Sequence, residues 1–330
     1  MNSGIPGHVK KLFSVRLSIQ KRKISPYAYK EVPSFHRSIQ KSTDMMKTIV
    51  VATDFSSTAL NAAQYAACLT RQIPVSKLIL YHSYYDIISK NIGFTDTQFY
   101  LQSQEDSMRR LNNLKRELGP LAADGLIIEC IASISPIKEV VHSGFLDEDP
   151  TLIVMGMTVK SKLEKKITGS QVLIAAQHTT KALLIIPSNA TYKKIKKIVY
   201  AWDMGDSEKT FPKKMFKDIM SIFKAELWVL NIDYNNRNFN ENTINEQALM
   251  HRILDPEAVK YIYGHHRDAG RGIIEFADQQ HADWIIIIPK KKSFPDSLFR
   301  KSTTRSVAFQ IKIPLLILPP CIVTENHQVG

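Results

Sequence analysis

The stretch KTIVVATD, Lys47–Asp54, decides how the chain is read: an apolar run of strand length that ends in an acid. Directly after it comes SSTALNAAQYAACLTRQ, a helical pattern in which Ala59, Ala62, Ala63 and Ala66 form a small-residue packing face and Ser56 or Ser57 supplies the N-cap. Working outward, apolar strand patterns recur in SKLILYHSYY, GLIIECIAS, TLIVMG and KALLIIP. Helical patterns lie between them at about 97–117, from Pro136 to about Phe145, and from near Gly169. Strands alternating with helices predict a parallel sheet covered by helices on both faces.

The series then runs again. KKIVYAWD (Lys196–Asp203) mirrors the opening stretch, AELWVLNID the second strand, ADWIIIIP the fourth and IPLLILP the last. Asp203 lies 149 residues after Asp54, whereas Pro289 lies 133 after Gly156 and Ser302 lies 133 after Gly169. A constant offset at each end, with 16 residues missing between, is the pattern of a duplicated domain with a shortened middle. The domain organisation expected is therefore a basic tail over 1–44, a first domain over 45–190, a second over 194–320 and a short tail over 321–330.

Charge narrows the functional classes. The net charge is +13, but residues 1–44 carry nine Lys/Arg against Glu31 and Asp44, which leaves an unremarkable +6 on the remaining 286 residues. Nucleic-acid binding by the folded part is thus weakly supported. The tail, rich in Ser, Lys and Arg, has the composition of a disordered segment. It reads as a nucleic-acid arm, an organelle-type targeting peptide, or translated upstream sequence with the natural start at Met45 or Met46. The last is favoured because an ordered domain begins directly after a second methionine. No apolar run approaches the roughly 18 residues of a membrane-spanning helix. Cys68, Cys130 and Cys321 lack any zinc or redox spacing, which suits free thiols in a reducing, cytoplasmic setting, and no metal is indicated.

These residues resemble the universal stress protein family in its tandem two-domain form. The likeness covers roughly 46–319 and is carried by IVVATDFSSTALNAAQYA, TLIVMGMTVKSKLEKKITGS, the closing ALLIIP and their repetition. It implies two open parallel sheets of strand order 3-2-1-4-5, adenine nucleotide α-hydrolase-like, whose last strands pair to make an internal pseudo-dimer. It also allows a homodimer. ATP-binding members carry a GxxGx9G[ST] pattern after the fourth strand and an acid after the first. By that resemblance the nucleotide-binding residues are Ala52, Asp54, Gly156, Gly169 and Ser170, and the ligand is ATP. Glycines admit close backbone approach to phosphate, while a Ser hydroxyl and a helix N-terminus donate to it.

Val159 stands where the pattern has its middle glycine, and a β-branched residue suits neither positive φ nor close approach. Lys160, Lys162, Lys165 and Lys166 can offset part of that loss, or simply form a solvated loop. In the second domain Pro289, Lys292, Ser302 and Thr303 occupy the matching places, and Phe294 and Pro295 stiffen the loop, so that site is expected to be degenerate. YGHHRDAGRG, Tyr263–Gly272, gathers two histidines, but adjacent His265 and His266 point apart in extended chain and do not readily share a metal. No P-loop, GxSxG or HExxH motif is present, so catalysis has no positive sign, slow ATP hydrolysis aside. Two functions stay open: a nucleotide-responsive stress protein, or an interaction scaffold that works without nucleotide through a protein partner that the sequence does not name.

Overall fold

The computed structural model describes residues 47–85, 87, 97–140, 146, 151–158, 170–204, 207–233, 241–254, 259–289 and 312–321. The basic tail, Val159, the loop lysines after it, Gly169, Lys292, Phe294, Pro295, Ser302 and Thr303 lie outside the described residues. Among the described residues the first half runs β1 (Thr48–Ala52), α1 (Ser57–Leu69), β2 (Lys77–Ser83), α2 (Thr97–Leu118), a 3-10 turn at Gly119–Leu121, β3 (Ile127–Ser133), α3 (Ile137–Val140), β4 (Leu152–Met157), α4 (Ser170–His178) and β5 (Ala182–Pro187). The second runs β6 (Lys197–Ala201), α5 (Ser207–Thr210), α6 (Lys213–Phe223), β7 (Glu226–Asp233), α7 (Glu241–Ile253), β8 (Val259–His265), α8 (Ala269–Gln279), β9 (Trp284–Ile287) and β10 (Leu315–Ile317).

All ten strands form one sheet of order β3-β2-β1-β4-β5-β10-β9-β6-β7-β8. Each half is parallel and keeps the expected 3-2-1-4-5 order, and the halves meet where β5 and β10 pair antiparallel. Successive strand residues face opposite sides. On β1, Ile49 and Val51 join the core under α1, α2 and α6, while Val50 joins a second core under α3, α4 and α8.

The register corrects the sequence alignment by one residue. β1 pairs Ile49 with Leu152 and Ala52 with Met155, and β6 pairs Ile198 with Trp284 and Ala201 with Ile287. Ile288, rather than Pro289, therefore answers to Gly156. By the same register Leu316 answers to Leu184, and these two are direct partners across the β5–β10 ladder. A pseudo-two-fold axis thus passes through a pair of equivalent, fully buried leucines. Much of the shortening falls in the helix after the second strand, 22 residues in α2 against 13 in α7.

Helix α1 also stitches the halves together. Tyr65 Oη accepts from Trp284 Nε1 at 2.8 Å in the buried core. Asn61 Nδ2 donates to the carbonyls of Pro187 and Ala190 at 3.1 and 3.0 Å, holding the start of the linker.

Candidate functional site

In the first half the strand order reverses between β1 and β4, so the carboxyl ends of these two parallel strands open the crevice where open α/β sheets bind ligands. Ala52 ends β1 there, half-buried, with Tyr81 and Met155 beside it. The turn that follows is fixed from several sides. Thr53 N–H donates to Tyr81 O at 2.9 Å, and the Thr53 carbonyl accepts from His82 Nδ1 at 2.7 Å. Thr53 Oγ1 accepts from Phe55 N–H at 3.0 Å, and Asp54 Oδ1 accepts from Ser56 N–H at 2.9 Å. Ser56 caps α1, its Oγ accepting from Ala59 N–H at 3.2 Å. Asp54 itself is exposed, so its carboxylate serves the turn and still faces solvent at the crevice.

Phe55 takes φ of 62°, strained backbone for a bulky side chain. Its ring lies 4.5 Å from the His82 ring, with the Arg110 guanidinium of α2 placed 3.9 Å over its face. His82 is buried, and that burial pushes its pKa below the ordinary value, with nearby Arg110 acting in the same direction. Because a carbonyl only accepts, Nδ1 carries the proton, and the neutral ring presents a lone pair on Nε2. That atom is buried and meets no hydrogen-bond partner among the described residues.

Across the crevice, Gly156 is required by packing. A Cβ there would lie 2.4 Å from the Thr58 carbonyl oxygen and 2.7 Å from its carbon. The first turn of α1 therefore rests directly on β4, and the Thr58 and Thr158 hydroxyls meet at 3.1 Å. Of the five sequence-predicted residues, the structure brings Ala52, Asp54 and Gly156 to one end of the sheet. Ser170 opens α4, and Gly169 lies outside the described residues.

The second half repeats the turn and loses the close approach. Met204, following Asp203, has φ of 53°; Trp202 N–H donates to Leu230 O at 2.8 Å, and Asn231 Nδ2 donates to Trp202 O at 2.9 Å. Asn231 thus does for the second turn what His82 does for the first. The helix after it, however, is split by Phe211 and Pro212, and Phe211 is buried against Tyr200 and Phe216. Ile288 carries a branched side chain at the position of Gly156, so α1-like contact with the strand is blocked. The His/Arg-rich stretch is a helix start: Asp268 caps α8 through Arg271 N–H at 3.1 Å, and Gly272 makes room for His266, whose Cβ lies 2.7 Å from where its own Cβ would stand.

A model of the universal stress protein family matches residues 45–187. That segment belongs to the universal stress protein family. It spans β1 to β5 and contains the whole crevice just described. The fold of both halves together is similar to a universal stress protein from Archaeoglobus fulgidus DSM 4304, at 14% identity over 83% of this chain and 98% of that one, with a TM-score of 0.65. A putative universal stress protein from Pseudomonas aeruginosa UCBPP-PA14 is similar at 16% identity over 83% and 94% of the two chains, TM-score 0.51. At such identities these likenesses speak to the fold alone. No curated protein matches the chain. In this universal stress protein segment, sequence reasoning missed Phe55, His82, Arg110 and the Thr58–Thr158 pair. The threonines are visible in SSTAL and GMTV, whereas Arg110 depends on how α2 packs and leaves no local signal. Among the described residues no helix is long and apolar enough to cross a membrane.

Proposed function

We propose that the first half is a regulatory binding module for an adenine nucleotide, ATP in the first place, and that the second is a universal stress protein-like domain kept for structure. The observation that carries this reading is the exposed Asp54 carboxylate standing with the Thr58 and Thr158 hydroxyls at the strand-order reversal, inside the segment that matches the family. Hydroxyls and backbone N–H groups at that end are donors for phosphate oxygens, and an acid is an acceptor for ribose hydroxyls. Ser170 at the start of α4 adds a helix N-terminus at the same end of the sheet, from its other face. The reading assigns binding, with no turnover. In the second half the split helix and Ile288 support a structural role.

A specific observation favours a second reading. Asp54 is used by its own turn and Gly156 by helix packing, so both residues have work without a ligand. A scaffold that acts without nucleotide would retain them equally. Isothermal titration with ATP separates the two: binding to the wild-type chain that is lost in Asp54→Ala and kept in Asp203→Ala supports the module. No heat and no melting shift at millimolar ATP support the scaffold, since a ligand at about 100 times its Kd adds about 2.7 kcal/mol to stability.

A further inference from the structure

The opposite end of the sheet holds a feature that the crevice does not use. Where the C-terminus of α1, the linker between the halves and the C-terminus of α6 meet, they enclose an open cleft of about 640 Å³. We infer that this cleft binds a small organic anion, one with an apolar body and a phosphate or carboxylate group.

Charge is the first argument. Arg71, Lys194, Lys196 and Lys224 line the cleft, and among the described residues no carboxylate does. Arg71 donates to the carbonyls of Ala122 and Pro120, at 3.2 and 2.7 Å, so its charge is held in place, and it forms no ion pair among the described residues. The ammonium groups of Lys194, Lys196 and Lys224 form no ion pair among the described residues. The nearby Asp283 carboxylate is engaged by the backbone N–H groups of Lys196 and Lys197, at 2.8 and 2.9 Å. Four cations sharing one small cavity repel one another within the Debye length, and a bound anion turns that repulsion into attraction.

Shape and rigidity supply the second. The volume falls in the range of small-ligand sites, about 300–1,000 Å³. Ile195, Ile222 and Phe223 give it an apolar floor. Its wall is preformed: Gln72 Nε2 donates to Ile195 O at 2.9 Å, while Gln72 Oε1 accepts from Ile195 N–H and from the Tyr192 hydroxyl at 2.8 and 2.9 Å. Inorganic phosphate would satisfy the charge and leave the floor unused.

The test is titration of the full chain with phenyl phosphate and, separately, inorganic phosphate, by isothermal calorimetry at low salt. Phenyl phosphate is expected to bind at least about tenfold more tightly than phosphate, and to weaken as the salt is raised. Lys194→Glu/Lys196→Glu should weaken it at least about tenfold, as should Lys224→Asn, which removes a charge while suiting the left-handed cap at 224. Asp54→Ala should leave it unchanged. No binding, equal affinity for the two probes, indifference to both lysine variants, or loss in Asp54→Ala would each overturn the inference.

Discussion

Replacing Gly156 by Ala should destabilise the protein even with no nucleotide present. The added Cβ would sit 2.4 Å from the Thr58 oxygen and 3.0 Å from the Ala59 nitrogen, and ordinary contact begins near 3.4 Å, so α1 must retreat from β4 by about 1 Å. Both neighbours are backbone atoms of a helix that is tied at its far side by Asn61, Tyr65 and Gln72 and cannot swing away as a side chain would. Overpacking of this kind costs about 1–3 kcal/mol. The retreat also stretches the Thr58–Thr158 hydrogen bond, now 3.1 Å, worth about 1 kcal/mol. Together these place the loss at about 2–4 kcal/mol, several degrees in Tm for a chain of this size. Chemical denaturation of the nucleotide-free protein measures it, with Gly264→Ala as comparator, where the added atom meets only the flexible end of Ile232 at 3.0 Å. A Gly156→Ala protein within about 0.5 kcal/mol of wild type would refute the packing argument, and the glycine would then have to be explained by ligand approach alone.

Other outcomes follow from the same geometry. His82→Asn should cost less than about 1 kcal/mol because Asn231 performs the same bond in the second half, whereas His82→Ala should cost about 1–3 by leaving the buried turn unheld; urea melts distinguish them. Because burial lowers the His82 pKa in the folded state, its contribution is present above the unfolded value of about 6.5 and declines as pH falls through the window below it. That part of the pH dependence of stability should vanish in His82→Asn. Trp284→Phe and Tyr65→Phe should each cost about 1–3 kcal/mol, and the double variant less than their sum, as a double-mutant cycle would show. Charging both members of the axial pair, Leu184→Asp with Leu316→Asp, should part the halves and expose the linker to protease. Unchanged cleavage and unchanged small-angle scattering would contradict the role given to that pair.

The strands, their parallel pairing and the repetition of the series were legible because buried strands announce themselves as apolar runs and Asp54 and Asp203 stand at the same point of each half. The β5–β10 pairing was legible only through the family resemblance, and that Leu184 and Leu316 lie at its centre is given by the register. Alignment at the fourth strand slipped by one residue since WIIIIP offers no internal landmark, and only hydrogen-bonded register places Ile288 opposite Gly156. At the site, Asp54 and Gly156 were readable as a pattern, but the pattern does not reveal that each also serves the fold. Phe55, His82 and Arg110 come from three separate elements, so their stack is written in packing rather than in spacing.

The central claim, that the crevice beside Asp54 takes an adenine nucleotide, is tested most directly by ATP titration of the wild-type chain alongside Asp54→Ala and Asp203→Ala. One ATP bound per chain, abolished by Asp54→Ala and untouched by Asp203→Ala, is the result expected. Absence of binding at millimolar ATP, or binding that survives Asp54→Ala, would contradict it.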